Sequence, residues 1–202
     1  MTGDPGRLAA RSANQIGVGM RRIIVALSVS LDGYFEGPGG DLSWHRVDDE
    51  LHRHFNDELR GMSAFLDGRR NYELMASFWP TADQDPASTA PVREFAAIWR
   101  DMPKLVYSRT LERVDWNSTL VREVVPEEVR ALKEQQGGDM ALGGAELAAA
   151  FARHGLVDEW RLYVNPVVLG AGRPLFPAGS RLDLDLVTER RFGNGVVQLS
   201  YR

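Results

Sequence analysis

The most constraining stretch of this 202-residue chain is Asp139-Met140-Ala141-Leu142-Gly143-Gly144-Ala145-Glu146-Leu147-Ala148-Ala149-Ala150-Phe151. A short apolar run stops at two glycines, and an alanine-rich helical pattern begins at once. Such a join feeds a strand into a helix N-terminus, where free backbone N–H groups and the macrodipole favour a bound phosphate. Glycine suits the join because a side chain would hold the backbone away from phosphate oxygens. Gly-Gly between strand and helix is also ordinary turn chemistry. The stretch therefore fixes a strand–turn–helix unit, and a phosphate site needs support from elsewhere.

Similar units precede it. Arg22–Val29 is a continuous apolar, β-branched run, the pattern of a strand covered on both faces. Ser30–Gly40 holds four glycines and a proline and reads as a long loop. Asp48 opens a helix to about Arg60, with Leu51, Phe55 and Leu59 on one face. Met62–Asp67 is a strand, Arg69–Ser77 a helix, and Phe78–Ala90 a polar loop. Pro91 starts a further helix carrying Val92, Phe95 and Trp99. Pro103–Ser108 and Thr119–Val124 read as strands, with a helix at Pro126–Gln135 after them. Past Val157 the helices stop, and Asp158–Val164, Leu182–Arg190 and Gly195–Tyr201 alternate like antiparallel strands. The expected fold class is α/β, a mixed and mostly parallel sheet in one domain over residues 21–202. Residues 1–20 lack a periodic apolar pattern and a signal-peptide core. They read as a disordered tail, or as the product of an upstream start with Met20 the working one.

Charge and composition exclude several functions. Lys+Arg 24 against Asp+Glu 28 gives a net charge of −4, which argues against a general nucleic-acid surface but leaves room for a local arginine pair. With no cysteine there are no disulfides, thiolate metal sites or cysteine nucleophiles, which fits a cytoplasmic protein. No apolar run spans a bilayer. His52 and His54 lie two apart on a helix and so face different ways; His45 and His154 are isolated, and no metal is expected. No G-x-S-x-G elbow supports a hydrolase.

Three strand ends resemble one another: Leu66-Asp67-Gly68-Arg69, Tyr107-Ser108-Arg109-Thr110 and Leu142-Gly143-Gly144-Ala145. Ligands of open α/β sheets bind outside the carboxyl ends of strands. Two arginines and a helix start there suit a ligand with separated phosphates, because guanidinium grips phosphate bidentately. Taken singly, Arg69 and Arg109 read equally well as solvated turn residues; the repetition across three strand ends favours the ligand. Carboxylates crowd the first loop and helix. Asp48 suits an N-cap, Asp49 and Glu50 suit the positive end of the helix dipole, and Asp32 before Gly33 suits an Asx-turn.

Ile23–Tyr34, then Gly68-Arg69-Arg70-Asn71-Tyr72-Glu73, Ser108-Arg109 and Gly143-Gly144, together resemble the dihydrofolate reductase superfamily. Val157–Phe176, reading VDEWRLYVNPVVLGAGRPLF, resembles more specifically the C-terminal reductase domain of the riboflavin-biosynthesis deaminase-reductase. The resemblance spans about residues 21–202. It implies a dihydrofolate reductase-like three-layer fold ending in an antiparallel hairpin, with NADPH as cofactor, and a homodimer. It also implies roles: Gly68 and Arg69 meet the cofactor phosphates, and Ser108 and Arg109 meet the adenosine 2′-phosphate. Gly143, Gly144, Ala145 and Glu146 form the pyrophosphate-binding helix start, and Ala26 lies near the nicotinamide. Two departures stand out. The glutamate that riboflavin reductases carry before the glycine turn is absent from Met140-Ala141-Leu142, and no deaminase domain is present.

The expected reaction is hydride transfer from NADPH to a carbon of a small heterocyclic or sugar-like substrate, with the proton supplied through water held by Asp32 or Asp49. The rival is a non-catalytic nucleotide- or flavin-binding module on a reductase fold, which the missing substrate-site acid favours.

Overall fold

The computed structural model describes residues 20–202; all but the last residue of the expected tail falls outside them. Among the described residues eight strands form one sheet in the order β5-β4-β3-β6-β1-β7-β10-β9. They are β1 (Ile23–Ser30), β3 (Met62–Gly68), β4 (Lys104–Tyr107), β5 (Ser118–Val121), β6 (Asp139–Gly143), β7 (Glu159–Asn165), β9 (Leu186–Arg191) and β10 (Val197–Tyr201). The six strands from β5 to β7 are mutually parallel, and β10 runs antiparallel to both β7 and β9. The loop expected at Ser30–Gly40 contains a short strand, β2 (Tyr34–Glu36), which pairs antiparallel with β8 (Arg173–Pro174).

Helices cover both faces, as parallel strands require. α4 (Pro126–Glu134) and α5 (Ala145–Arg153) lay Val129, Leu147, Ala148 and Phe151 on Ile23, Val25, Leu66 and Leu142. On the opposite face α1 (Asp49–Leu59), α2 (Arg69–Phe78) and α3 (Ala90–Asp101) contribute Leu59, Tyr72, Phe95 and Trp99 against Phe65, Val106 and Ala141. The result is the expected three-layer α/β fold. Asp48 caps α1, its carboxylate accepting the Leu51 N–H at 2.9 Å, while Asp49 and Glu50 occupy the first turn. The polar loop after α2 is partly ordered as a 3₁₀ turn over Trp79–Gln84, which seats Pro80 and Ala82 in the interior.

β1 is the organising strand, hydrogen-bonded to β6 on one side and β7 on the other. At its amino end Arg22 pairs with Asp139 at 2.6 Å and Glu159 at 2.8 Å, tying the starts of β6 and β7 to it. The carboxyl ends carry no such lattice of ion pairs, and there the strands part around a cavity.

Candidate functional site

In register, Asp67 of β3 sits beside Gly143 of β6, and Gly68 sits beside Tyr107 of β4. The expected ligand-facing strand ends are thus neighbours in space. Gly144 has φ 94°, a backbone that favours glycine, and a Cβ there would lie 3.4 Å from Asn71 Cβ. Gly68 and Gly144 stand at the N-caps of α2 and α5, and neither helix has a side-chain cap. Each therefore leaves N–H groups of its first turn without intrahelical partners. Arg69 and Arg109 stand beside these starts and are exposed, and neither forms an ion pair or side-chain hydrogen bond among the described residues.

On the sheet face under α1 and α3 lies a cavity of about 470 Å³, within the range that holds small organic ligands. Its walls are aromatic: Phe55, Phe65, Trp79, Phe95, Trp99 and Tyr163. Ala26, Ser28, Ala141 and Gly143 line its strand side, small residues that keep the sheet surface open. A second cavity, about 170 Å³, lies on the other face between β4, β5 and α4, and contains no unpartnered buried polar atom.

Three acid or base groups matter in the larger cavity. Asp67 is 2% exposed; its Oδ1 accepts from Asn71 Nδ2 at 2.7 Å, and its Oδ2 is buried with no hydrogen-bond partner among the described residues. Burial pushes its carboxyl up to about 7, against smaller opposing effects of the Asn71 bond and the Lys104 charge. Glu58, by contrast, is fully engaged, accepting from Tyr163 Oη at 2.5 Å and Gln198 Nε2 at 2.9 Å and pairing with Arg161 at 3.0 Å. His52 and His45 are held below the ordinary histidine range, chiefly by burial, and His45 Nε2 is a further buried atom without a partner.

Residues 21–198 match the RibD C-terminal domain family. The chain belongs to that family. It is 38% identical to the uncharacterized protein YyaP of Bacillus subtilis (strain 168) over 183 residues, 90% of this chain and 94% of the relative. Its fold is similar to that of the diaminohydroxyphosphoribosylaminopyrimidine deaminase/5-amino-6-(5-phosphoribosylamino)uracil reductase of Thermotoga maritima, with TM-score 0.61 and 15% identity, covering 91% of this chain and 56% of the larger one. It is also similar to the dihydrofolate reductase of Enterococcus faecalis, solved with NADP(H), with TM-score 0.58 and 15% identity over 89% and 95% of the two chains. The RibD-type chain described here therefore has a reductase fold.

On that fold Ala26 and Gly143 line the cavity, while Gly68, Arg69, Gly144, Ala145 and Glu146 gather at the two helix starts next to it. Two details correct the expected roles. Ser108 has its hydroxyl occupied locally, accepting the Thr110 and Leu111 N–H groups at 3.2 and 3.0 Å. Glu146 turns outward to pair with Arg173 at 2.5 Å.

The expected proton sources need a larger correction. Asp32 does not line the cavity; it accepts from Ser30 Oγ at 2.6 Å, Leu169 N at 3.2 Å and Gly170 N at 2.7 Å. The Ser30 bond foremost, then those backbone bonds, hold it down at about 2, so it carries no proton to give near neutrality. Asp49 is an exposed first-turn residue 3.8 Å from Arg53 and also lies outside the cavity lining. The acid that does face the cavity, Asp67, was visible in the sequence only as the last residue of a strand end. A carboxylate closing an otherwise apolar buried strand was the signal available.

Proposed function

We propose that the chain is an NADPH-dependent reductase acting on a small heterocyclic substrate. The observation that carries this reading is the juxtaposition at one sheet edge of two uncapped helix starts, two unengaged arginines and an aromatic cavity. The donor set fits the cofactor: unpaired N–H groups at Ala145 and Arg69 suit a pyrophosphate, and the Arg109 guanidinium suits a 2′-phosphate. When bound, the cofactor supplies the hydride. The protein's own contribution is to orient and to manage a proton. Phe55, Tyr163 and the tryptophans exclude water, which strengthens polar contacts inside. Ala26 and Gly143 leave room for a flat ring against the sheet. Asp67 Oδ2, protonated through much of the neutral range, can hand a proton to a nitrogen or oxygen of the substrate, a role that needs a carboxyl near the working pH.

The expected homodimer belongs to the same proposal, with one change. β7 is flanked by β1 and β10, so β9, exposed along its whole length, is the strand left for pairing with a second copy.

The test is calorimetric titration of the protein with NADPH and NADH. NADPH should bind at least tenfold tighter. Arg109→Ala should weaken NADPH about tenfold or more and leave NADH within about twofold, in line with the ~1.4 kcal/mol per tenfold expected of one charge-assisted contact. Equal losses for both cofactors would remove Arg109 from the 2′-phosphate, and binding of neither would end the reductase reading.

A further inference from the structure

The lining of the cavity specifies what kind of molecule it takes. Among the described residues no lysine or arginine lines it. Arg161 is the nearby cation packed on α1, and it is committed to Glu58 at 3.0 Å and Glu159 at 2.7 Å. His45 and His52 are kept neutral by burial. An anion entering here would leave water without finding a positive partner, a cost of several kcal/mol for an unpaired buried charge. The aromatic walls instead offer flat π-faces, which pack on planar rings and attract cations. The unsatisfied polar feature on the strand side is Asp67 Oδ2, buried and without a partner, next to Gly143, where a side chain would close the approach.

We infer that the cavity accepts a flat, aromatic, non-anionic nitrogen heterocycle whose amino or basic ring nitrogen bonds Asp67 Oδ2. A phosphate or carboxylate on such a molecule must stay outside the walls. This rests on the reductase reading only in making the ring the hydride acceptor; the binding chemistry follows from the lining alone. It also separates the chain from a relative whose substrate name carries a phosphoribosyl group, because that phosphate would have no cation inside the cavity.

The experiment compares two ligands with the same ring system by calorimetry at pH 7: 2-aminoquinoline, which presents an amino–ring nitrogen edge, and quinoline-2-carboxylate, which presents an anion at the same edge. The unmodified protein should bind 2-aminoquinoline at least 30-fold tighter. Asp67→Asn should weaken it at least tenfold while leaving the affinity for NADPH unchanged. Equal or tighter binding of the carboxylate overturns the inference, as does absence of 2-aminoquinoline binding. An Asp67→Asn protein that is folded by circular dichroism and binds 2-aminoquinoline as well as the unmodified protein also overturns it. The ligand comparison needs no variant, so it decides even where Asp67→Asn fails to fold. NADPH is titrated in the same samples. Ligand preference without NADPH binding sinks the reductase reading and keeps the cavity assignment; NADPH binding without the preference does the reverse.

Discussion

Asp67→Asn should change how stability depends on pH. In the folded chain burial raises the Asp67 carboxyl to about 7 from an ordinary value of 3.8. Between those values the folded state holds a proton that the unfolded state has lost. Stability from this group is therefore complete below about pH 4 and falls as pH rises, until the folded carboxyl ionises near 7. The slope is ~1.4 kcal/mol per pH unit, so the loss between pH 5 and pH 8 is about 3 kcal/mol. The side chain is fully buried, so solvent screening does not reduce this figure. Asn cannot ionise, and it keeps an oxygen for the 2.7 Å bond from Asn71. The variant should thus lose about 3 kcal/mol less than the parent over that interval, read as urea midpoints at constant slope. It should be the more stable of the two at pH 8. Parallel curves for the two proteins would show that Asp67 titrates like a surface acid, and both its proton-donor role and its buried placement would fall together.

Other outcomes follow from the same geometry. Gly143→Ala would press a Cβ to 2.6 Å from Asp67 Oδ1 and still closer to Asn71 Nδ2, so it should cost about 1–3 kcal/mol of stability, seen as a lower urea midpoint. It should also narrow the cavity and weaken 2-aminoquinoline by calorimetry. Asp32→Ala removes the acceptor that ties Ser30 to Leu169 and Gly170. Hydrogen exchange at 167–172 should accelerate while the global urea midpoint barely moves. Because Asp32 is held near 2, any ionisation that controls turnover above pH 4 should persist unchanged in that variant. Arg69→Ala should weaken NADPH and NADH alike if its guanidinium meets phosphates common to both, in contrast to Arg109→Ala.

The parts of the fold that were legible in the sequence are those where local pattern and tertiary burial agree. The run of Ile23, Ile24 and Val25 is buried on both faces because β1 is interior, and Gly143-Gly144 does join a strand to a helix. The switch to alternating residues after Val157 marks the change from parallel to antiparallel pairing. β2 and β8 escaped because each is too short to show a period; their pairing brings Tyr34 against Pro174 across about 140 residues of sequence, a tertiary fact. The acids were misplaced for a related reason. Asp32 and Asp67 both close a strand and precede a glycine, so their local sequences look alike. What separates them is which strand lies beside each. Asp32 meets the backbone of the 165–172 loop, whereas Asp67 meets the interior side of β6 and the aromatic face under α3.

That contrast explains why the site divides its charges as it does. Cations stand at the rim, Arg69 and Arg109 next to helix starts that already carry partial positive charge. Inside, the lining is aromatic and the free acid is neutral or only partly ionised near pH 7. A strongly charged interior would have to be paid for in desolvation with every turnover, whereas a neutral acid at the threshold of ionisation costs little to bury and can still part with a proton. Separating an anion-binding rim from a proton-bearing, cation-tolerant pocket lets one sheet edge hold a polyphosphate and a flat basic ring without either charge pattern opposing the other. The arrangement predicts that mutual exclusion should fail: saturating 2-aminoquinoline should leave the NADPH dissociation constant within about threefold, since the two ligands answer to different charges. Strict competition would place both in one pocket, and the division of the site drawn here would be wrong.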